Sequence, residues 1–263
     1  MTALSRRLRH VLVLMGCAAT LGLTACSPPE PILKGTRISV LPEIKLEAIN
    51  AEAQAEGAGL PDIVNINAAP MAGLSAGHAG GNPRFEAPLN EVWRTNIGGV
   101  GSALTELAQP VIGDGRIYTV APNGIVAAFD VRDGGQIWSV RIEEIEDDPL
   151  PGIAGGLALS REGLVVHAGG RRVALLKPSD GSVIWGIETD IPFRGSPTII
   201  GSDRVAVTDL DGNMIVMTLV SGERVWQHFG IASNTVIFGA PAPAFANDEI
   251  VLAGAGGEVS YFD

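Results

Sequence analysis

Asp133-Gly-Gly-Gln-Ile-Trp138, Asp180-Gly-Ser-Val-Ile-Trp185 and Ser221-Gly-Glu-Arg-Val-Trp226 are three versions of one phrase. Each opens with a polar residue beside glycine, where a tight turn needs a backbone with φ > 0. Each then runs through a short strand-forming stretch to a tryptophan. With Trp93 included, the tryptophans recur at 93, 138, 185 and 226, a spacing of 41 to 47 residues. A period of that size built from β-type segments reads as propeller blades. Three further short runs precede each phrase. They are Gln109–Ile112, Gly115–Val120 and Gly124–Asp130 in the first unit, Gly156–Leu159, Gly163–Val166 and Arg172–Leu176 in the second, and Ser196–Ile200, Arg204–Thr208 and Asn213–Thr218 in the third. Each unit is therefore predicted to be a four-stranded sheet. Apolar runs such as Leu164-Val-Val166 and Ile215-Val-Met217 suit sheets buried on both faces, as stacked blades are. Trp93, Trp138, Trp185 and Trp226 are assigned to packing between neighbouring blades.

The composition agrees with an all-β chain. Glycine accounts for 34 of 263 residues, and charged residues for only 18%. The hydrophobic share, 46%, is enough to bury a sizeable core. Acidic residues outnumber basic ones by 29 to 18, for a formal charge of −11, and lysine occurs only at positions 34, 45 and 177. That balance disfavours a nucleic-acid surface, which needs clustered Lys and Arg.

The N-terminus reads as an export signal. Arg6, Arg7, Arg9 and His10 precede the apolar run Val11–Leu23. This run is short of the ~20 residues that span a bilayer and has the length of a signal-peptide core. It ends in Leu23-Thr24-Ala25-Cys26, which resembles the bacterial lipobox. The resemblance implies removal of residues 1–25 and acylation of Cys26. Cys17 leaves with the signal, so no disulfide is expected. Ser27 follows the lipid site; by resemblance to enterobacterial lipoproteins, where Asp there retains a protein at the inner membrane, it implies the periplasmic face of the outer membrane. Residues 26–88 are rich in Pro, Ala and Gly without a sustained period, with Glu43–Gln54 able to form a short helix. They are expected to be a tether with local order and not a domain.

The Asp, glycine turn, x-x-x-Trp repeat resembles the pyrroloquinoline-quinone-type propeller repeat of quinoprotein dehydrogenases, kinase ectodomains and the BamB family of outer-membrane assembly lipoproteins. Taken with the lipobox, Gly35-Thr-Arg-Ile-Ser-Val-Leu-Pro42, Gly80-Gly-Asn-Pro83 and Trp93-Arg-Thr-Asn-Ile-Gly-Gly99 resemble alphaproteobacterial members of the BamB family. The resemblance implies an eight-bladed propeller, of which about three and a half blades fall in residues 89–263. These are a leading strand at 91–97, blades at roughly 109–141, 155–188 and 196–228, and an incomplete blade at 240–263, so a C-terminal truncation is expected.

The resemblance further implies a non-enzymatic scaffold that binds BamA and other assembly-machinery subunits and assists insertion of unfolded β-barrel precursors, with no cofactor. Ile191-Pro-Phe-Arg-Gly-Ser-Pro197 resembles the apolar-x-apolar-Arg stretch through which the family contacts BamA. On that match Ile191, Phe193 and Arg194 are the partner-binding residues, expected on an exposed turn between blades. The spacing from Gly195 to Pro197 is one residue shorter than in enterobacterial members. The family's second, acidic contact has no counterpart in Asn234–Ala240. The alternative is a quinoprotein-type propeller that binds pyrroloquinoline quinone as a periplasmic dehydrogenase or sensor. Those sites use adjacent cysteines, and no Cys follows residue 26.

No catalytic residue and no metal ligand is assigned. His78, His167 and His228 lack ligand spacing, and His167 reads as a strand-end histidine. Ser160 and Ser196 lack a nucleophile-elbow context. Glu143-Glu-Ile-Glu-Asp-Asp148 reads as a solvated loop. Asp211-Gly-Asn213 reads as a turn and not a calcium loop, because apolar residues follow at once. Gly98–Gly101 and Gly254–Gly257 lack the strand–turn–helix setting of a nucleotide site.

Overall fold

The computed structural model describes residues 61–98, 107–142, 155–231, 241–254 and 257–263. Gly59–Asp263 forms one compact unit. The signal peptide, Cys26, Glu143–Asp148 and Asn234–Ala240 lie outside the described residues.

Three sheets of four antiparallel strands follow one another along the chain. The first is built from β3 (Val111–Gly113), β4 (Arg116–Val120), β5 (Ile125–Asp130) and β6 (Gln136–Arg141). The second is built from β7 (Gly156–Leu159), β8 (Leu164–His167), β9 (Arg172–Leu176) and β10 (Val183–Glu188). The third is built from β11 (Phe193–Ile200), β12 (Arg204–Asp209), β13 (Met214–Thr218) and β14 (Arg224–His228). A three-stranded sheet closes the series with β15 (Ala244–Ala246), β16 (Glu249–Ala253) and β17 (Val259–Phe262). Each sheet is a simple up-and-down meander. Neighbouring sheets touch through their first strands, β3 on β7, β7 on β11 and β11 on β15. The fourth strands, exposed or half-buried apart from Trp138, form the outer rim. This is the propeller arrangement.

The two-residue period of a strand explains the apolar runs. In the second blade, Leu157, Leu164, Val166, Ala174 and Leu176 pack against Val111, Tyr118 and Val126 of the first. Their alternate neighbours Ala158, Val165, Val173 and Leu175 pack against Phe193, Val205, Val207 and Ile215 of the third. Both faces are thus apolar because both faces meet a blade. A smaller cluster of Ile200, Ala206, Met214 and Val216 with Ile250 and Leu252 joins the third and fourth blades.

The tryptophans supply a second seam. Trp138 donates its indole N–H to the carbonyl of Pro178 at 2.9 Å, and Trp185 does the same to Leu219 at 2.7 Å. Each ring lies over the turn glycine of the next blade. A Cβ on Gly181 would stand 2.7 Å from the Trp138 ring, and one on Gly222 would stand 2.9 Å from the Trp185 ring. Trp93 repeats the contact, with a 3.0 Å bond to Val131 and its ring over Gly134. The expected leading strand differs. Residues 91–98 are not in a strand, and Trp93 reaches the first blade through its side chain. Trp226 meets Phe262 of the fourth blade in a tilted ring contact, with centroids 5.3 Å apart.

The local order expected of residues 26–88 takes a definite form over the described part. Ile63–Val64 (β1) and Asn82–Pro83 (β2) form a short parallel pair. The chain between them lies on the propeller. Ala69 bridges to Ile112 and Met71 to Ala158. An Ala/Gly/Pro composition imposes no periodicity of its own, so this segment takes its conformation from strand edges far away in the sequence.

Candidate functional site

Phe193 and Arg194 are not on an exposed turn. They open β11, the innermost strand of the third blade, where Phe193 pairs with Asp209 and Arg194 with Thr208. Phe193 is fully buried and Arg194 is 7% exposed. The reason lies in the following residues. Gly195 takes φ +74°, and the pairing register shifts between Arg194 and Thr198. Ser196-Pro197 thus occupies a bulge inside a strand, not the end of a loop. Proline is tolerated there because β11 is an edge strand. The Phe193 side chain enters the cluster between the second and third blades, and the Thr208 hydroxyl donates to the Arg194 carbonyl. Of the three residues assigned to partner contact, Ile191 alone keeps appreciable exposure. It sits in the connection Thr189–Pro192, which Thr189 ties by donating its hydroxyl to the Ile191 carbonyl at 2.7 Å.

His167, the last residue of β8, is fully buried beside this bulge. Its Nε2 stands 2.6 Å from the Gly195 carbonyl, and its Nδ1 accepts the Gly169 N–H at 3.2 Å. Those partners place the proton on Nε2, which donates across the blade seam. The ring also meets Phe193, with centroids 5.6 Å apart. Opposite, Gly156 lets the backbones close up, since a Cβ there would lie 2.6 Å from the Ser196 Cα. His167, Gly156 and the Gly195 bulge form a latch between blades. The sequence marked His167 only as the end of a strand, and no local pattern announces a partner 28 residues away.

Burial pushes the His167 pKa down to about 4, against the opposing pull of the Gly195 carbonyl. The unfolded ring titrates near its ordinary value of 6.5. The stability that goes with burying this ring in its neutral form is therefore complete above pH 6.5 and declines as pH falls towards 4. A gap of that size corresponds to about 3 kcal/mol. Urea unfolding at pH 7.5 and 4.5 is expected to show this loss. His167→Gln should flatten it over the same window. An equal pH dependence in both proteins would refute burial of a neutral His167 ring at this seam. Asp130, held by Arg132, and Asp180, held by Ser182, have pKa values near 2, so their effects fall at lower pH.

Asp211-Gly-Asn213 is a turn between β12 and β13. Asp209 Oδ1 accepts the backbone N–H groups of Asp211 and Asn213, and Oδ2 accepts the Asn213 side-chain amide at 2.8 Å. Burial raises the Asp209 pKa despite these bonds. Among the described residues, no group of three or more His, Cys, Asp or Glu side chains is placed to hold a metal ion.

Comparison with known proteins agrees with the blade architecture. The chain is 26% identical over 175 residues to the outer membrane protein assembly factor BamB of Shewanella oneidensis, covering 64% of this chain and 44% of that protein. It is 28% identical over 166 residues to the protein of the same name in Burkholderia pseudomallei, covering 63% of this chain and 40% of that one. The chain thus spans less than half the length of these relatives. Among solved structures, the quinohemoprotein alcohol dehydrogenase ADHIIG of Pseudomonas putida HK5 superposes with a TM-score of 0.57 at 15% identity, covering 75% of this chain and 38% of that one. At that identity the likeness is one of fold. The model of the outer membrane protein assembly factor BamB family matches residues 122–263, from the first blade through the last described strand. On that match, the chain belongs to the BamB family.

Proposed function

We propose that this protein is a non-enzymatic scaffold of outer-membrane β-barrel assembly. In this reading lipid at Cys26 holds it to the periplasmic face of the outer membrane. There it binds BamA and other subunits of the machinery and assists unfolded barrel precursors. The family match over residues 122–263 carries the proposal. The physical setting supports it. Blades locked together by apolar seams and tryptophan contacts supply the kind of fixed framework that a docking platform requires. The likeness to the alcohol dehydrogenase is confined to the fold, and no cofactor enters the proposal.

Ile191 is the residue of the partner-binding stretch on which contact with BamA now rests, since Phe193 and Arg194 are buried in β11. Full-length protein is expected to co-purify with BamA from outer membranes. Ile191→Asp is expected to weaken that complex about tenfold, the effect of losing one apolar anchor, while its melting temperature stays unchanged. Absence of BamA from the wild-type preparation would overturn the function. Undiminished binding by Ile191→Asp would overturn the assignment of this loop.

A further inference from the structure

Residues 65–81 form a loop closed at its neck. Ile63 pairs with Asn82 and Val64 with Pro83. Asn82 donates its side-chain amide to the Pro61 carbonyl, and Arg84 Nε donates to Asn65 Oδ1, both at 3.0 Å. From this neck the loop crosses the first strands of the four blades. Ala69 and Ile112 exchange two backbone hydrogen bonds of 2.8 Å. Leu159 donates its N–H to the Pro70 carbonyl at 2.7 Å, and Phe245 donates to the Ala76 carbonyl at 2.8 Å. On the third blade the Ile199 N–H points at the Met71 sulfur, 3.3 Å away. His78 Nε2 lies 3.1 Å from the Pro243 carbonyl, which also accepts the Thr198 hydroxyl.

These contacts fall on the free edges of the innermost strands, since β3, β7, β11 and β15 each have a sheet partner on one side only. A free edge is a template for any extended chain. The loop fits it with small residues, Ala68-Ala-Pro-Met-Ala-Gly73, and mainly through backbone groups. Its own conformation is costly. Leu74 and His78 hold φ values of +74° and +52°, uncommon for residues with side chains. Such strain persists where surrounding contacts over-determine it. Ala69–His78 are half-buried throughout, whereas residues 61–68 are exposed.

We propose that loop 65–81 is a built-in occupant of these strand edges, an axial clasp that joins the blades and denies their inner edges to other extended chains. The clasp does not depend on the assembly role. Hydrogen exchange of the full chain tests it. In the wild type, the amides of Ile112, Leu159 and Phe245 are expected to be protected. Replacing 65–81 with a Gly/Ser segment of equal length should speed their exchange at least about tenfold and leave β5, β9 and β13 unchanged. A synthetic 65–81 peptide should bind that variant, restore protection and fail to bind the wild type. Fast exchange at the three amides in the wild type would overturn the clasp. So would an intact variant that the peptide cannot protect. Should the replacement unfold the protein, Met71→Ala decides. Faster exchange confined to Ile199 and Leu159 supports a separable clasp, and uniform loss across the blades overturns it.

Discussion

Phe193→Ala is expected to cost about 3–5 kcal/mol, the range for truncating a fully buried phenylalanine. The ring has no solvent exposure and packs among Ala158, Val165, Val173 and Leu175 on one side and Val205, Val207 and Ile215 on the other. Truncation leaves a cavity between two sheets that cannot close without moving a blade. It also removes the ring that packs against His167. Urea unfolding followed by tryptophan fluorescence measures the loss, because Trp185 reports on the same seam. Phe193→Leu keeps most of the volume and should cost less than about 1.5 kcal/mol. With the fold restored by leucine, BamA binding should return to the wild-type level. An alanine variant that melts normally yet loses BamA would restore Phe193 to the surface role that its burial now excludes.

The blades were legible because their signal is local. A polar residue, the glycine after it and a tryptophan five positions from the polar residue fix a turn and a strand within ten residues, and Gly134, Gly181 and Gly222 all take φ near +70° at those turns. The continuous apolar runs Leu164–Val166 and Val173–Leu176 encode burial on two faces in the same local way. Phe193 and the packing of the 61–88 segment are not legible locally for the opposite reason. Pro192, Gly195 and Pro197 around Phe193 carry the composition of a turn, but the chain spends them on a bulge whose partners are Thr208 in the next strand and His167 in the previous blade. Ala69–His78 carry the composition of a linker and are ordered by the edges of β3, β7 and β15. In both cases the deciding contacts are tertiary, and turn or linker propensity is the same with or without them. The partner contact was misplaced with Phe193, because an aromatic beside arginine is equally an interface anchor or a core residue until its burial is known.

Gly181→Val should be the most informative change at the tryptophan seam, with an expected cost of about 4 kcal/mol. Two effects combine there. Gly181 takes φ +75°, which disfavours any side chain by about 1–2 kcal/mol and a β-branched one most. A Cβ would also stand 2.7 Å from Trp138 Cε3, so the indole must leave its place between the blades or the turn must shift, an overpacking cost of about 1–3 kcal/mol. Gly201 separates the two effects. It has φ +60°, but a Cβ there meets nothing within 4 Å. Gly201→Val should therefore carry the backbone cost alone, about 1–2 kcal/mol. The difference between the variants measures the indole contact. Placing Gly181→Val in a Trp138→Leu background should remove that difference, because the smaller side chain leaves room for the valine. Equal losses at Gly181 and Gly201 would mean that the ring yields freely and that the tryptophans do not set blade spacing. A large difference that persists without the indole would assign the clash to the turn itself. The expected pattern, a large loss at Gly181 rescued by shrinking Trp138, is the one in which a glycine required for a turn also provides the seat for the preceding blade's tryptophan.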